Sequence, residues 1–212
     1  MQETSAKENI FKKIRNALIH KTSQRFPVVD WEKNIYNHSG ESPDLEFANS
    51  FTKVGGQFVF CESEVDFLEK VITLAKENNW KNFYCSEKLI TGFMDQAGFP
   101  YTTEKNKYPE GMVAITTCEA LVSRLGSVII SSRQGSGRRL FVAPTVHIIL
   151  AYASQIVPDL KDALKLIKVK YGDQMPSMIA ALTGPSRTAD IEKTLVTPAH
   201  GPRDIFVFLV DD

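Results

Sequence analysis

The chain has 212 residues, 43% of them hydrophobic, enough for one core that buries about 70% of the surface of the unfolded chain. Lysine plus arginine equals aspartate plus glutamate at 25 each, so no global field draws in nucleic acid or a charged membrane surface, and any anion recognition is local. No apolar run approaches the roughly 20 residues that span a bilayer, and charges at Lys7, Glu8, Lys12, Lys13 and Arg15 interrupt the place where a secretory signal needs a continuous apolar stretch; the expectation is a cytoplasmic protein with no membrane insertion and no nucleic-acid partner.

Ile10, Phe11, Ile14, Ala17 and Leu18 recur at helical spacing and predict an amphipathic helix. Residues from Lys21 to Ser42, with Pro27, Trp31, Tyr36 and Gly40, read as an irregular connection, so 1–42 is taken as an N-terminal helical extension and 43–212 as the main domain. Ser42-Pro43 predicts a helix start and Gly55-Gly56 its stop, with Leu45, Ala48 and Phe51 facing inward. Alternation follows. A strand over Gln57–Cys61 leads to a helix capped by Ser63, with Val65, Leu68, Val71, Ile72 and Ala75 inside; a strand over Asn82–Cys85 leads to a helix capped by Ser86 and ending at Gly98.

Repeated βα units predict an α/β fold with a mostly parallel sheet sandwiched by helices. Further on, the pattern predicts a strand over Met112–Thr116, a brief helix over Thr117–Arg124 and a strand over Ser127–Ser131. Strands over Leu140–Ala143 and His147–Ala151 are separated only by Pro144, Thr145 and Val146, which suggests a hairpin or sharp corner. Asp159 is read as the cap of a helix that ends at Gly172, and strands over Met178–Leu182 and Ile205–Val210 complete the set.

Two polar strings follow apolar segments. Thr183-Gly184-Pro185-Ser186-Arg187 offers hydroxyls, close backbone approach at glycine and a guanidinium that grips carboxylate or phosphate; the same string also suits a polar turn in which Arg187 pairs with Asp190 and Ser186 caps a short helix. His200-Gly201-Pro202-Arg203 precedes the last strand, and His200 is either a proton carrier or a turn residue bonded to a carbonyl. Gly135-Ser136-Gly137-Arg138-Arg139 lacks the spacing of a phosphate-binding P-loop and reads as a hairpin tip. His147, in an apolar strand, reads as a hydrogen-bonded core histidine. Cys61, Cys85 and Cys118 are widely spaced and read as buried thiols, and no cluster at ligand spacing supports a metal site.

The run from Cys118 through Gly126-Ser127, the stretch RRLFVAPTVHIILAYASQIVPDLKDAL and the stretch TGPSRTADIEKTLVTPAHGPRDIFVFLVDD resemble the LUD-domain family, and the likeness extends from about Leu45 to Asp212. The resemblance implies a sandwich similar to the ribose-phosphate isomerase and CoA-transferase fold. It also implies a subunit or accessory role in oxidation of L-lactate to pyruvate beside iron–sulfur or oxidoreductase partner subunits, with no cofactor bound by this chain itself. A crevice for a small anionic ligand is then expected from Gly126, Ser127, Thr183, Gly184, Ser186, Arg187 and Arg203, with His200 as the candidate catalytic proton carrier. The alternative is a stand-alone enzyme acting on a sugar phosphate, a CoA thioester or a folate-like anion. One departure stands out: the family's acidic-Thr-Gly-Thr pattern reads here Arg124-Leu125-Gly126-Ser127, a cation replacing the carboxylate.

Overall fold

The computed structural model describes residues 6–19, 36, 40–104, 109, 111–186, 188–189, 195–196, 198 and 200–212. Arg187, together with His20, Pro27, Trp31, His38 and Asp190 of the sequence reading, lies outside them. Two units form, Met1–Asn37 and His38–Asp212. In the first, α1 (Ala6–Ile19) carries the apolar stripe Ile10, Phe11, Ile14 and Leu18.

The second unit runs α2 (Pro43–Lys53), β1 (Gln57–Cys61), α3 (Glu64–Glu77), β2 (Phe83–Tyr84), α4 (Lys88–Gln96), β3 (Val113–Thr117), β4 (Ala120–Val122), β5 (Ser127–Ser131), β6 (Val146–Tyr152), β7 (Ile156–Val157), α5 (Leu160–Tyr171), β8 (Ile179–Leu182), β9 (Thr188–Ala189), β10 (Leu195–Val196) and β11 (Asp204–Val210). The central sheet has the order β1-β11-β6-β3-β2, and every neighbouring pair is parallel. A second sheet, β7-β4-β5-β8, is antiparallel at β4–β5 and β5–β8 and parallel at β4–β7.

Both faces of the central sheet are covered, which is why its strands read as unbroken apolar runs. Side chains alternate with period two. Phe206, Phe208 and Val210 of β11, with Val146, Ile148 and Leu150 of β6, pack on Phe67, Leu68 and Val71 of α3 and on Ile90 and Met94 of α4. The intervening Ile205, Val207 and Leu209, with Ile149 and Ala151, pack on Phe47 and Phe51 of α2 and on Leu121, Val128 and Ile130 of the second sheet. Ala163 and Ile167 of α5 cover that sheet's far side through Ala120, Val122 and Ile129. Each large apolar side chain buried this way stabilises the fold by about 1.5–3 kcal/mol.

Helix α3 starts as the sequence predicts: the Ser63 hydroxyl accepts a hydrogen bond from Asp66 N at 3.2 Å. Ser63→Ala is expected to destabilise the unit by about 1 kcal/mol, measured by urea unfolding as a shift in midpoint at unchanged slope.

Several expectations are corrected. Glu119-Ala-Leu-Val favours a helix locally, yet Ala120, Leu121 and Val122 are fully buried as β4 between β5 and β7, a case of tertiary packing overriding propensity; a 3₁₀ turn over Ser123–Leu125 follows. Residues 140–143 are not a strand: Arg139–Phe141 is a 3₁₀ turn, because Leu140 drops into a cluster with Tyr84, Met112 and Ala114 while Phe141 joins the core beneath α2. No hairpin forms there, and the glycine-rich string is a turn leaving β5 instead of a hairpin tip. Val65 of α3 points outward at 69% exposure and Phe67 takes the core position. Ser86 does not cap α4; Glu87 occupies the cap position without a side-chain capping bond. Asp159 caps α5 only by position, its carboxylate being held by Arg124.

Candidate functional site

Gly126, Ser127, Thr183 and Gly184 come together against the end of α2. Gly126 ends the 3₁₀ turn in the left-handed region at φ 58°, and a β-carbon there would lie within 3.0 Å of Phe51 N, Ser50 C and Phe51 Cα. Gly184, at φ 77°, is packed equally tightly on the Val54 carbonyl. Between them the Ser127 and Thr183 hydroxyls are hydrogen-bonded at 2.7 Å. The conformational freedom of both glycines is thus spent on seating α2, and the two hydroxyls satisfy one another. Arg124, where the family resemblance leads one to expect a carboxylate, pairs with Asp159 at 2.5 Å and joins the turn after β4 to the start of α5.

His200 is exposed and Pro202 is buried. Arg203 N donates to Thr145 O at 2.8 Å, and the Arg203 guanidinium pairs with the neighbouring Asp204 at 2.9 Å. Hydrogen bonds from Arg203 N and Asp204 N to Thr145 O tie this loop to the start of β6, whereas Gly184 rests on Val54 just ahead of β1. Both strings therefore lie at the edge where the parallel strands begin. Ser186 is half-buried.

At the opposite edge, where β2 and β3 end, lies a polar network in which the sequence pointed to His147 as a hydrogen-bonded core histidine but not to Glu87, Thr117 or Gln134. Glu87 is 7% exposed. Its Oε2 accepts from the Thr117 hydroxyl and from Thr117 N at 3.2 Å. Gln134 donates to Thr117 O at 2.6 Å and accepts from Ser131 N at 2.7 Å. Deeper in, the Thr116 hydroxyl donates to Thr117 O at 3.1 Å and meets His147 Nε2 at 2.8 Å. Burial pulls the His147 pKa down to about 3, so the ring is neutral at physiological pH and Nε2–H is the donor that fits this chain. The Ser86 hydroxyl, diverted from capping α4, donates to Gly135 O at 3.0 Å and pins the glycine-rich turn over Glu87. Among the described residues three buried side-chain polar atoms lack a partner: Glu87 Oε1, Ser136 Oγ and His147 Nδ1. Each such group ordinarily costs about 1–3 kcal/mol, and all three belong to or adjoin this network.

Next to it, Glu119 is saturated: Oε1 accepts from Ser131 at 2.5 Å and Tyr171 at 2.7 Å, and Oε2 pairs with Lys170 at 2.8 Å. Cys61 and Cys85 are buried, and desolvation pushes their thiols up to about 11 and about 12; the Cys118 thiol is raised by the same cause. No group of three or more potential metal ligands occurs among the described residues. The open surface hollow of about 610 Å³ lined by Ile72, Trp80, Phe83 and Phe99 is largely apolar and lies at the entry to β2, away from these groups.

Two facing sheets with helices outside, and polar side chains gathered where parallel strands end, define an α/β sandwich protein. The chain belongs to the LUD-domain family, whose sequence profile matches residues 105–210. It is 29% identical over 184 residues to lactate utilization protein C of a Geobacillus species, covering 84% of this chain and 74% of that protein. It is 37% identical over 102 residues to the protein of the same name from Bacillus licheniformis, of which only 42% is covered, and 36% identical over 108 residues to that of Bacillus subtilis, 45% covered; the matched segment is thus less than half the length of these two relatives. A crystal structure of a DUF162 family protein from Deinococcus radiodurans has the same fold, with a TM-score of 0.60 at 20% identity, covering 80% of this chain and 99% of that one.

Proposed function

We propose that this chain works in L-lactate utilization, as a cytoplasmic subunit or accessory of the oxidation of L-lactate to pyruvate, binding a small anionic ligand while iron–sulfur partner subunits carry the electrons. The observation that carries this reading is the match to a lactate utilization protein C over 84% of the chain. In the described residues no helix is long and apolar enough to cross a membrane.

The reading is tested in the native host with the full-length chain tagged. Co-elution with iron-containing subunits is expected, together with slowed growth of a deletion strain on L-lactate and normal growth on pyruvate. Unimpaired growth on L-lactate with no iron-containing partner retained would overturn it.

A further inference from the structure

Unpartnered polar atoms gather beneath the turn that covers Glu87. Two donors from Thr117 converge on one carboxylate oxygen, the pattern of an acceptor held in place, while Oε1 of the same carboxylate has no donor. Ser136 Oγ, one residue beyond Gly135, where an added β-carbon would lie 3.4 Å from Glu87 Cγ, is also unpartnered. A helix cap has been surrendered to this arrangement: Ser86 holds the turn and Glu87 faces Thr117 instead of the first turn of α4. Local rules broken without a local gain gather at functional sites.

The chemistry of the occupant follows from the groups around it. Oε1 requires a hydrogen-bond donor, and Ser136 Oγ can give one bond and take another. A hydroxyl meets both needs, donating to the carboxylate and accepting from the serine; an ammonium meets only the first. Charge on the turn decides the rest. Arg133, Arg138 and Arg139 lie within seven residues of one another, and among the described residues none pairs with a carboxylate. Arg133 and Arg138 instead reach Gln174 O at 3.1 Å and Ser177 Oγ at 2.6 Å, so both guanidiniums gather beside the segment that enters β8. Cations carried on this turn attract anions and repel ammonium groups.

We propose that the crevice where β2 and β3 end binds a small hydroxyl-bearing anion, with its hydroxyl between Glu87 Oε1 and Ser136 Oγ and its carboxylate or phosphate toward the arginines of the turn. Entry lifts the Gln134–Gly137 turn and breaks the Ser86–Gly135 hydrogen bond; Gly137, in the left-handed region with nothing within 4 Å of a β-carbon, leaves room for that movement. This deepens the proposed function and rests on it only in the choice of lactate as first probe.

The test is calorimetric titration of the full chain with two matched pairs: L-lactate against propionate, and glycerol 3-phosphate against inorganic phosphate. Within one pair the hydroxylated member is expected to bind about tenfold or more tightly than its partner, and the pair that responds identifies the anion as carboxylate or phosphate. Glu87→Gln is expected to remove that preference, and Ser136→Ala, at a turn position with no partner to lose, to weaken it several-fold. Equal binding within both pairs, no binding in either, or a preference untouched in both variants overturns the site. Such a result leaves the lactate reading standing wherever the association with iron-containing subunits holds, so the two fail separately.

Discussion

Gly126→Ala lowers the melting temperature of the protein by about 5–15 °C. A non-glycine residue in the left-handed region costs about 1 kcal/mol, and Gly126 sits there at φ 58°. The larger part is steric. A β-carbon would enter the backbone of α2 at Ser50 and Phe51, and backbone cannot rotate away as a flexible side chain can. Overpacking of this kind adds about 1–3 kcal/mol, and in a domain of this size each kcal/mol is worth about 2–4 °C. Phe51 is fully buried and stacked on Phe47 at 5.4 Å between ring centroids, so any shift of α2 propagates into the core under the central sheet. Gly137→Ala is the matched control: its φ of 66° is as unfavourable for alanine, but nothing lies within 4 Å of the new methyl, and the loss stays near 1 kcal/mol. Scanning calorimetry on both variants separates conformation from contact. Equal melting points would show that α2 does not rest on this glycine.

The contrast also shows which parts of the molecule local sequence can specify. The βα units from Gln57 to Gln96 were legible because the period of the apolar residues changes from two to 3.6 within each unit, with glycine or serine punctuating it. In the second sheet β5 and β8 were legible as strands, but β4 and the pairing of the strands were not. Val128 pairs with Leu182 and Leu121 with Val128, contacts between segments that carry no mutual signal, and the helix-favouring Glu119-Ala-Leu prefix hides β4.

The candidate site divides along the same line. Gly126-Ser127 and Thr183-Gly184 were singled out from glycine beside hydroxyls, and they do meet, but their spacing does not reveal that the end of α2 packs against both glycines. Glu87 was read as the beginning of a helix. The available signal was its place: a carboxylate just past the carboxyl end of a parallel strand, where open α/β sheets present their ligand crevices. Thr117 and Gln134 carried no such signal, because Thr117 reaches Glu87 through the pairing of β2 with β3 and Gln134 reaches Thr117 only through the turn after β5.

Glu119→Gln is expected to destabilise the protein by about 2–3 kcal/mol at pH 7. The carboxylate is buried at 1% side-chain exposure, while its cation, Lys170, is 59% exposed; water screens that pair and limits it to well under 1 kcal/mol. Most of the effect comes from the hydrogen bonds that Ser131 and Tyr171 donate to a charged acceptor, bonds of about 1.5–3 kcal/mol each before the amide recovers part of one. Lys170→Met, which leaves both donors in place, is therefore expected to cost less than about 1 kcal/mol.

The pH dependence of the Glu119→Gln effect has a definite sign. Burial alone would raise the Glu119 pKa, but Lys170, Ser131 and Tyr171 outweigh it and hold the group below its ordinary value of 4.5. A carboxyl depressed on folding contributes stability that is complete above the unfolded pKa and disappears as pH falls through the folded one. The gap between wild type and Glu119→Gln is thus widest at neutral pH and narrows on acidification below about pH 4.5. Urea unfolding at pH 7, 5 and 3.5 measures it. A gap that stays constant across that range would mean the side chain is not ionised in the folded protein, and a loss in Lys170→Met equal to that in Glu119→Gln would place the stabilisation in the ion pair instead of the buried hydrogen bonds.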